Sequence, residues 1–482
     1  MKRRWRATSS LFKACRLSVA IRSPYAPPID PLEFQRVFLC AILFERQIGV
    51  REREQICVKG CVCMKFQVIP LIYSANGQFK NTIRFAVEFH ENILPEALVY
   101  AVGQVQKRYP YYSVKVEKEG EGFVLSENSQ PFVIAAGEKP VCLNSTASNM
   151  HLLAFAWKAQ TVWIDISHFI CDGNGVAPLV KTLVYYYVER RYGADGIDTS
   201  NIRLVTDNIP EEEYAYPFPA TPIPNESALS IPQRTYEPFL FADEMFDGDG
   251  SYAYNLQVSQ KALMKYAKSN DGSPVSFVCV MLYRAMMSLY PDMGSDIVFS
   301  IPHEYRKALG RPLSHDCLAR VLTVKLAAKD RDKSTETLNT AVRGQIVLGS
   351  DESADIAAIN GMLQLGAYMQ SLPLEGKKRA MLGLVAGSLA KNTFGVSYTG
   401  NIGWGGMEKY IRDVHLYAGE NNRHQTISVE VFTLGENFSI CVMQPGKNPV
   451  FVQELIRCFA SCDIECMLMS EERFRLADYE LP

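Results

Sequence analysis

One histidine follows a predicted strand, at the start of a turn into a predicted helix. The strand covers Thr161–Ile166, and His168 continues the apolar face of that strand. The chain turns at Asp172 and Gly173 and enters a helix predicted over Val176–Arg191, where apolar residues recur at helical spacing. An imidazole suits general-base catalysis because its unperturbed pKa of about 6.5 lies near working pH. A hydrogen-bonded structural histidine is the alternative, but the complete His-x-x-x-Asp-Gly pattern favours catalysis.

This segment, His168–Gly173, resembles the HxxxDG motif of the chloramphenicol acetyltransferase-like superfamily. That superfamily includes alcohol acetyltransferases, plant BAHD acyltransferases and peptide-synthetase condensation domains. The resemblance extends from about Met64 to the C-terminus and is closest to the alcohol acetyltransferase branch. It implies an α/β fold of two such lobes, with mixed sheets flanked by helices and an active-site channel between them. In that fold His168 is the expected catalytic residue, and Asp172 and Gly173 have structural roles.

Two further segments are similar to superfamily signatures. Arg108–Pro110 resembles the "RHP" signature, in which the first helix of the fold ends. Ile301–Arg306 resembles the strand whose arginine forms a salt bridge with the motif aspartate. The resemblance therefore implies that Arg306 pairs with Asp172 and fixes the turn that aims His168. An exposed arginine on a loop is the alternative.

A glycine-rich strand end supplies candidate channel residues. Val396–Gly405 resembles the DFGWG segment of BAHD enzymes, with Asn401 in place of the aspartate, and the SNxG strand of the alcohol acetyltransferase branch. Ser397 or Thr399 is a candidate donor of a hydrogen bond to a developing oxyanion. Ordinary polar residues of a strand are the alternative for both. The spacing of the glycines does not match GxGxxG, which excludes a dinucleotide loop.

The order of predicted elements divides the chain into four parts. Residues 64–205 form an N-terminal acyltransferase lobe that carries the motif, and residues 251–482 form a C-terminal lobe. A proline-rich crossover, residues 206–250, joins them, because proline at this density disfavours long helices and central strands. Residues 1–63 are expected to be a poorly ordered or mis-called extension. The first 29 residues are rich in Lys and Arg and contain no acid, which is also typical of a transit peptide.

Composition excludes several classes of protein. The 482 residues are 48% hydrophobic, which indicates a globular chain, and the net charge of −2 gives no electrostatic basis for nucleic-acid binding. No apolar run approaches the roughly 18 residues that a membrane-spanning helix needs. The 13 cysteines are scattered, which favours a reducing compartment, and we expect a cytoplasmic protein. Cys57, Cys61 and Cys63 lack a matching Cys/His pair, so no metal site is predicted.

The function implied by the resemblance is transfer of an acyl group, with acetyl preferred, from a CoA thioester to an acceptor hydroxyl. His168 is the expected general base, acyl-CoA a co-substrate, and a small alcohol the acceptor, with no tightly bound cofactor. Condensation domains usually have two adjacent histidines, whereas Ser167 precedes His168 here, which favours O-acyl transfer. Two alternatives stay open: a stand-alone condensation-like enzyme that uses an acyl carrier protein, and a degenerate, non-catalytic ligand-binding homologue. Cys171 as nucleophile and His303 as base are weaker candidates.

Overall fold

The computed structural model describes residues 70–75, 80–225, 237–241, 250–389, 391–420 and 426–482. The predicted extension, residues 1–63, lies outside these ranges. Among the helices described, none is long and apolar enough by itself to cross a membrane. The helices Gln260–Ser269 and Pro274–Leu289 pass that test only as a pair, with a bend of 85° between them. The strands and helices of the described residues are β1 Thr82–Phe89, α1 Pro95–Arg108, β2 Val114–Glu119, β3 Gly122–Glu127, β4 Ile134–Ala136, β5 Leu153–Lys158, β6 Thr161–Ser167, α2 Gly173–Tyr192, β7 Ser251–Ser259, α3 Gln260–Ser269, α4 Pro274–Leu289, β8 Ile297–Glu304, β9 Ala319–Leu326, α5 Thr335–Gly349, α6 Glu352–Gln370, α7 Leu374–Leu389, β10 Phe394–Asn401, β11 Ile411–Tyr417, β12 Ile427–Leu434, β13 Asn437–Pro445, α8 Val450–Ala460 and β14 Cys466–Phe474.

The first lobe is built on a five-stranded mixed sheet in the order β11-β1-β6-β5-β4. Strand β6 is central, because it pairs antiparallel with β1 on one side and with β5 on the other. Its Val162, Ile164 and Ile166 share a buried core with α1 and α2. This packing fixes the point at which the chain leaves β6 and turns toward α2.

The second lobe is a seven-stranded mixed sheet in the order β14-β7-β13-β12-β10-β8-β9. Strand β10 runs parallel to both β8 and β12, and the other neighbours are antiparallel. Alternate residues such as Val396 and Val431 belong to a core shared with α4 and α8. The residues that alternate with these core residues along β10 and β12, including Ser397 and Glu430, have their side chains on the opposite face of the sheet. The predicted α/β class with two sheet-containing lobes is confirmed.

Strand β11 joins the two lobes. It follows β10 in the chain, yet it pairs antiparallel with β1 in the first sheet, with Val414 opposite Val87. The range predicted as the second lobe, residues 251–482, therefore contributes one edge strand to the first sheet. Apolar alternation identifies such a strand, but it does not say which sheet the strand joins.

The last helix is short and is followed by a final strand. Helix α8 ends at Ala460, and Cys466 begins β14. Asp463 adopts a left-handed backbone conformation, with φ of 56°, which a continuing helix does not allow. Helix α7 was not predicted, because its glycines, among them Gly383, lower helix propensity by about 1 kcal/mol each relative to alanine.

Candidate active site

His168 is the first residue after β6 and is half-buried. Its backbone N–H donates to the carbonyl oxygen of Asn81 at 2.7 Å, which prolongs the pairing between β6 and β1 by one residue. The imidazole Nδ1 lies 3.6 Å from Sγ of Cys317. Because Nδ1 is engaged by the thiol, Nε2 is the ring nitrogen that is available to a substrate.

Asp172 is the N-cap of α2 and is almost fully buried. Its Oδ1 accepts a hydrogen bond from the Gly175 N–H at 2.8 Å and lies 2.7 Å from Nη2 of Arg306. Its Oδ2 accepts from the Leu318 N–H at 2.9 Å. Both oxygens of this carboxylate are therefore occupied by donors of the fold, which links the turn between His168 and α2 to the loop that contains Leu318.

Arg306 links that turn to the end of β8 and to the loop that follows it. Its Nε donates to the Ser314 carbonyl at 3.0 Å, and Nη2 donates to the Asp316 carbonyl at 2.8 Å as well as to Asp172. Nη1 lies 3.0 Å from Oε2 of Glu304. Burial alone would lower the pKa of Arg306, but the charges of Asp172 and Glu304 favour the cation, and the net pKa is raised. The structure thus brings together Asp172 and Arg306 as an ion pair between the lobes.

Two glycines permit close contacts around the start of α2. A Cβ added at Gly173 would lie 3.4 Å from the methyl group of Thr399, which brings β10 against the motif. A Cβ added at Gly175 would overlap the carbonyl oxygen of His315. The loop that carries Arg306's partners therefore touches the α2 backbone directly, and this contact tolerates no side chain at position 175.

The three candidate channel residues on β10 have different surroundings. Thr399 contacts the motif through Gly173, and its hydroxyl lies 3.5 Å from the Val431 carbonyl. Ser397 is hydrogen-bonded to the carboxyl group of Glu430 on β12, its partner in the strand pairing. Asn401 accepts through Oδ1 from the Gly403 N–H at 2.9 Å, within the turn that follows β10. Of the three, Thr399 is the residue in contact with the motif.

Glu430 is a buried acid that sequence reasoning missed. It lies on the face of the second sheet that points away from the lobe's apolar core, beside Ser397. Burial raises its pKa to about 7, although the hydrogen bond from Ser397 acts in the opposite direction. A single acid among alternating strand residues normally indicates a solvated face, so the sequence carries no signal of this burial.

Replacing Glu430 with Gln is expected to remove a pH-dependent destabilisation. Between the ordinary pKa of 4.5 and about 7, the folded state keeps a proton that the unfolded state has released. The free energy of unfolding therefore falls as pH rises through this window, by about 3 kcal/mol in total, and the loss is constant above it. Urea unfolding of both proteins at pH 5 and pH 8 measures the difference. Equal pH slopes for Glu430→Gln and the parent would contradict the burial of a protonated acid.

A polar cavity of about 300 Å³ adjoins the N-terminal end of α2. Both Thr399 and Asn401 line it, whereas His168 and Ser397 do not. The cavity therefore lies on the helix side of the turn, next to the ion pair and not beside the imidazole. Its polar lining includes Asn174, Lys181, Arg203, Glu304, Ser314 and Asn401.

The weaker sequence candidates lie in other environments. Nε2 of His303 on β8 is 3.3 Å from Oδ2 of Asp355, within hydrogen-bonding distance. Cys171 is fully buried, and burial raises the pKa of its thiol well above the ordinary value. The cysteine that touches His168 is instead Cys317, 149 positions along the chain. No local pattern around Cys317 could have identified that contact.

Comparison with known proteins supports the fold. No protein-family model and no curated protein matches the sequence. TRI101 of F. graminearum, solved with coenzyme A and T-2 mycotoxin, superposes with a TM-score of 0.54 at 10% identity, covering 84% of this chain and 99% of TRI101. Polyketide synthase associated protein 5 of Mycobacterium tuberculosis gives a TM-score of 0.52 at 13% identity, covering 84% and 99%. These superpositions confirm the predicted fold of two sheet-containing lobes.

Proposed function

We propose that this protein is an acyltransferase that moves an acyl group from a CoA thioester to an acceptor hydroxyl, with His168 as the general base. The observation that carries the proposal is a half-buried imidazole at a strand end, with Nδ1 engaged by Cys317 and the following turn held by the Asp172–Arg306 pair. A braced turn of this kind limits the positions that Nε2 can take. Restricting the position of Nε2 favours a reaction in which two substrates must be aligned in one site.

The fold comparisons support the choice of a CoA thioester as the donor. TRI101 binds coenzyme A together with T-2 mycotoxin in one structure and with deoxynivalenol in another. In that protein the fold holds a CoA and a small organic molecule at the same time. We extend this arrangement to the present chain, with acyl-CoA as the donor and a small molecule bearing a hydroxyl as the acceptor.

The proposed reaction proceeds by direct transfer. Nε2 of His168 accepts the proton of the acceptor hydroxyl while the oxygen attacks the thioester carbonyl carbon. The tetrahedral intermediate then collapses, the C–S bond breaks, and the leaving thiolate takes the proton from the imidazolium. Thr399 is the favoured donor to the oxyanion, because its methyl group faces Gly173 of the motif and its hydroxyl makes a long hydrogen bond of 3.5 Å to the Val431 carbonyl, whereas the Ser397 hydroxyl is bonded to Glu430.

Thiol release tests the proposed function. The full-length protein is incubated with acetyl-CoA and longer acyl-CoAs, each with a mixture of alcohols, a mixture of amines, or no acceptor. We expect free CoA to form fastest with alcohols, together with an ester of equal amount. Release that needs an acyl carrier protein as donor, or amide products only, would favour the condensation-like alternative. A folded protein without turnover for any thioester would contradict the proposal and favour a non-catalytic binding role.

A further inference from the structure

The cavity beside α2 contains a cation without a counter-charge. Lys181 is one of its lining residues and is half-buried. Among the described residues its ammonium has neither a hydrogen-bond nor an ion-pair partner, and the charged group that acts on it is the guanidinium of Arg203. Burial and this like charge lower the pKa of Lys181. Two cations that face one cavity form a favourable environment for an anion.

The fold holds both cations in place. Lys181 lies on the face of α2 that also carries Asn174 and Ala177, at spacings of three and four residues, so all three line the cavity. Arg203 follows α2, and its carbonyl accepts a hydrogen bond from the Thr182 hydroxyl at 2.8 Å. The backbone positions of Lys181 and Arg203 are therefore set by α2 and by the loop packed against it.

The acids nearby do not neutralise Lys181. Glu213 lies 3.3 Å from Nη1 of Arg203, but both of its oxygens are already bound by Arg108, at 2.8 and 2.9 Å. Glu304 lines the cavity, and its Oε2 is bound by Arg306 and by Asn174, each at 3.0 Å. Both carboxylates thus have other cationic partners, and the region around Lys181 stays positive.

Neutral groups extend the site. The Asn401 amide lines the cavity, and because its Oδ1 accepts from Gly403, its NH₂ group is oriented to donate elsewhere. The α2 N-terminus itself is capped by Asp172, so the positive character of the cavity comes from side chains and not from free helix N–H groups. Amine, guanidinium and amide donors together are the groups that proteins use to bind phosphate.

We propose that this cavity binds a phosphate group of the acyl donor, with Lys181 and Arg203 as its cationic ligands. The inference rests on the proposed function for the identity of the donor, since CoA carries a diphosphate and a ribose phosphate. It also gives the cavity a role that the chemistry at His168 does not require: the phosphate anchors the donor at α2, and the acyl end of the same molecule reaches the imidazole.

The test compares donors that lose phosphates one at a time. Steady-state KM and kcat are measured for full-length protein and Lys181→Gln with acyl-CoA, acyl-dephospho-CoA, acyl-4′-phosphopantetheine and acyl-pantetheine. We expect Lys181→Gln to raise the KM for acyl-CoA about tenfold, the loss of one charge-assisted contact, with kcat unchanged. For acyl-pantetheine the two proteins should agree. The first donor in the series at which the difference disappears identifies the phosphate that is bound.

Two controls separate a phosphate contact from a structural effect. Lys181→Arg keeps the charge and is expected to recover most of the affinity, whereas Lys265→Gln removes an exposed lysine on α3 and should change nothing. If Lys181→Gln raised the KM for acyl-pantetheine by the same factor as the KM for acyl-CoA, the proposal would be overturned. An unchanged KM for acyl-CoA in this variant would also overturn it.

Direct binding measurements distinguish a failure of the phosphate site from a failure of the proposed acyl transfer. Isothermal titration of CoA and of inorganic pyrophosphate needs no turnover. Binding that weakens in Lys181→Gln supports the site even if no acyl transfer occurs. Acyl transfer that depends on His168 but not on Lys181, or CoA binding that Lys181→Gln leaves unchanged, would leave the proposed function standing and refute the phosphate site.

Discussion

Replacing His168 with Ala is expected to lower the turnover of acyl-CoA with an alcohol by about 10²–10⁴-fold, the usual contribution of a general base. The side chain lies just beyond the end of β6 and is half-buried, and within the described part of the chain its ring has one hydrogen-bond partner, Cys317. Removing it costs little stability for that reason. The KM for acyl-CoA should therefore change much less than kcat, because the alanine variant keeps the fold and the cavity beside α2. Thiol release under saturating donor measures the effect.

The Cys317→Ala variant is the control for the His168→Ala experiment. It is needed because a cysteine beside a histidine also suits a covalent mechanism. Burial raises the pKa of the Cys317 thiol well above its ordinary value, so the sulfur stays protonated and is a poor nucleophile. We expect Cys317→Ala to lower kcat only a few-fold, about the effect of a loosened imidazole. If Cys317→Ala abolished turnover as fully as His168→Ala, and a labelled acyl group remained on the parent protein, direct transfer would be refuted.

The motif region was predictable because its information is local. Strand alternation placed His168 just beyond the end of β6, and the spacing to Asp172 and Gly173 marked the turn into α2. Helix α2 starts at Gly173, three residues before the predicted Val176, because Asp172 caps it. Such features depend on neighbours within a few residues, which a sequence shows directly.

Contacts between distant segments were predictable only through resemblance. The pairing of Arg306 with Asp172 came from the superfamily pattern, since 134 positions separate the two residues. The contact between Cys317 and His168 had no such pattern and was missed. Apolar alternation marks β11 as a strand, but periodicity cannot specify that it pairs with β1. The buried state of Glu430 likewise depends on which elements cover that face of the sheet.

Removing either partner of the Asp172–Arg306 pair is expected to destabilise the protein by about 3–5 kcal/mol. Without Arg306 the buried Asp172 has lost its cation, and without Asp172 the buried Arg306 keeps only the half-exposed Glu304 as counter-charge. Both side chains are nearly fully buried, at 8% and 5% exposed. Asp172→Asn retains an oxygen that can cap α2, so it isolates the charge from the capping hydrogen bond. Arg306→Met removes the cation and keeps a side chain of similar length. Urea unfolding gives the free energy for each variant.

An exposed ion pair serves as the matched reference. Lys158 and Glu138 are 2.7 Å apart, with side chains 58% and 63% exposed. Water screens such pairs, so Glu138→Gln should cost less than about 1 kcal/mol. If Asp172→Asn also lowered the free energy of unfolding by less than about 1 kcal/mol, the pair between the lobes would be well solvated and would contribute little to the turn.

The double variant Asp172→Asn/Arg306→Met decides whether the two side chains act as a pair. Removing both charges leaves no uncompensated ion, so its loss should be smaller than the sum of the single losses by about 1–3 kcal/mol. Activity should not recover in parallel, because Arg306 also binds the Ser314 and Asp316 carbonyls, which set the loop beside Cys317 and His168. A stable but slow double variant would show that the pair positions the imidazole in addition to stabilising the fold. Strictly additive losses would contradict the coupling across the two lobes.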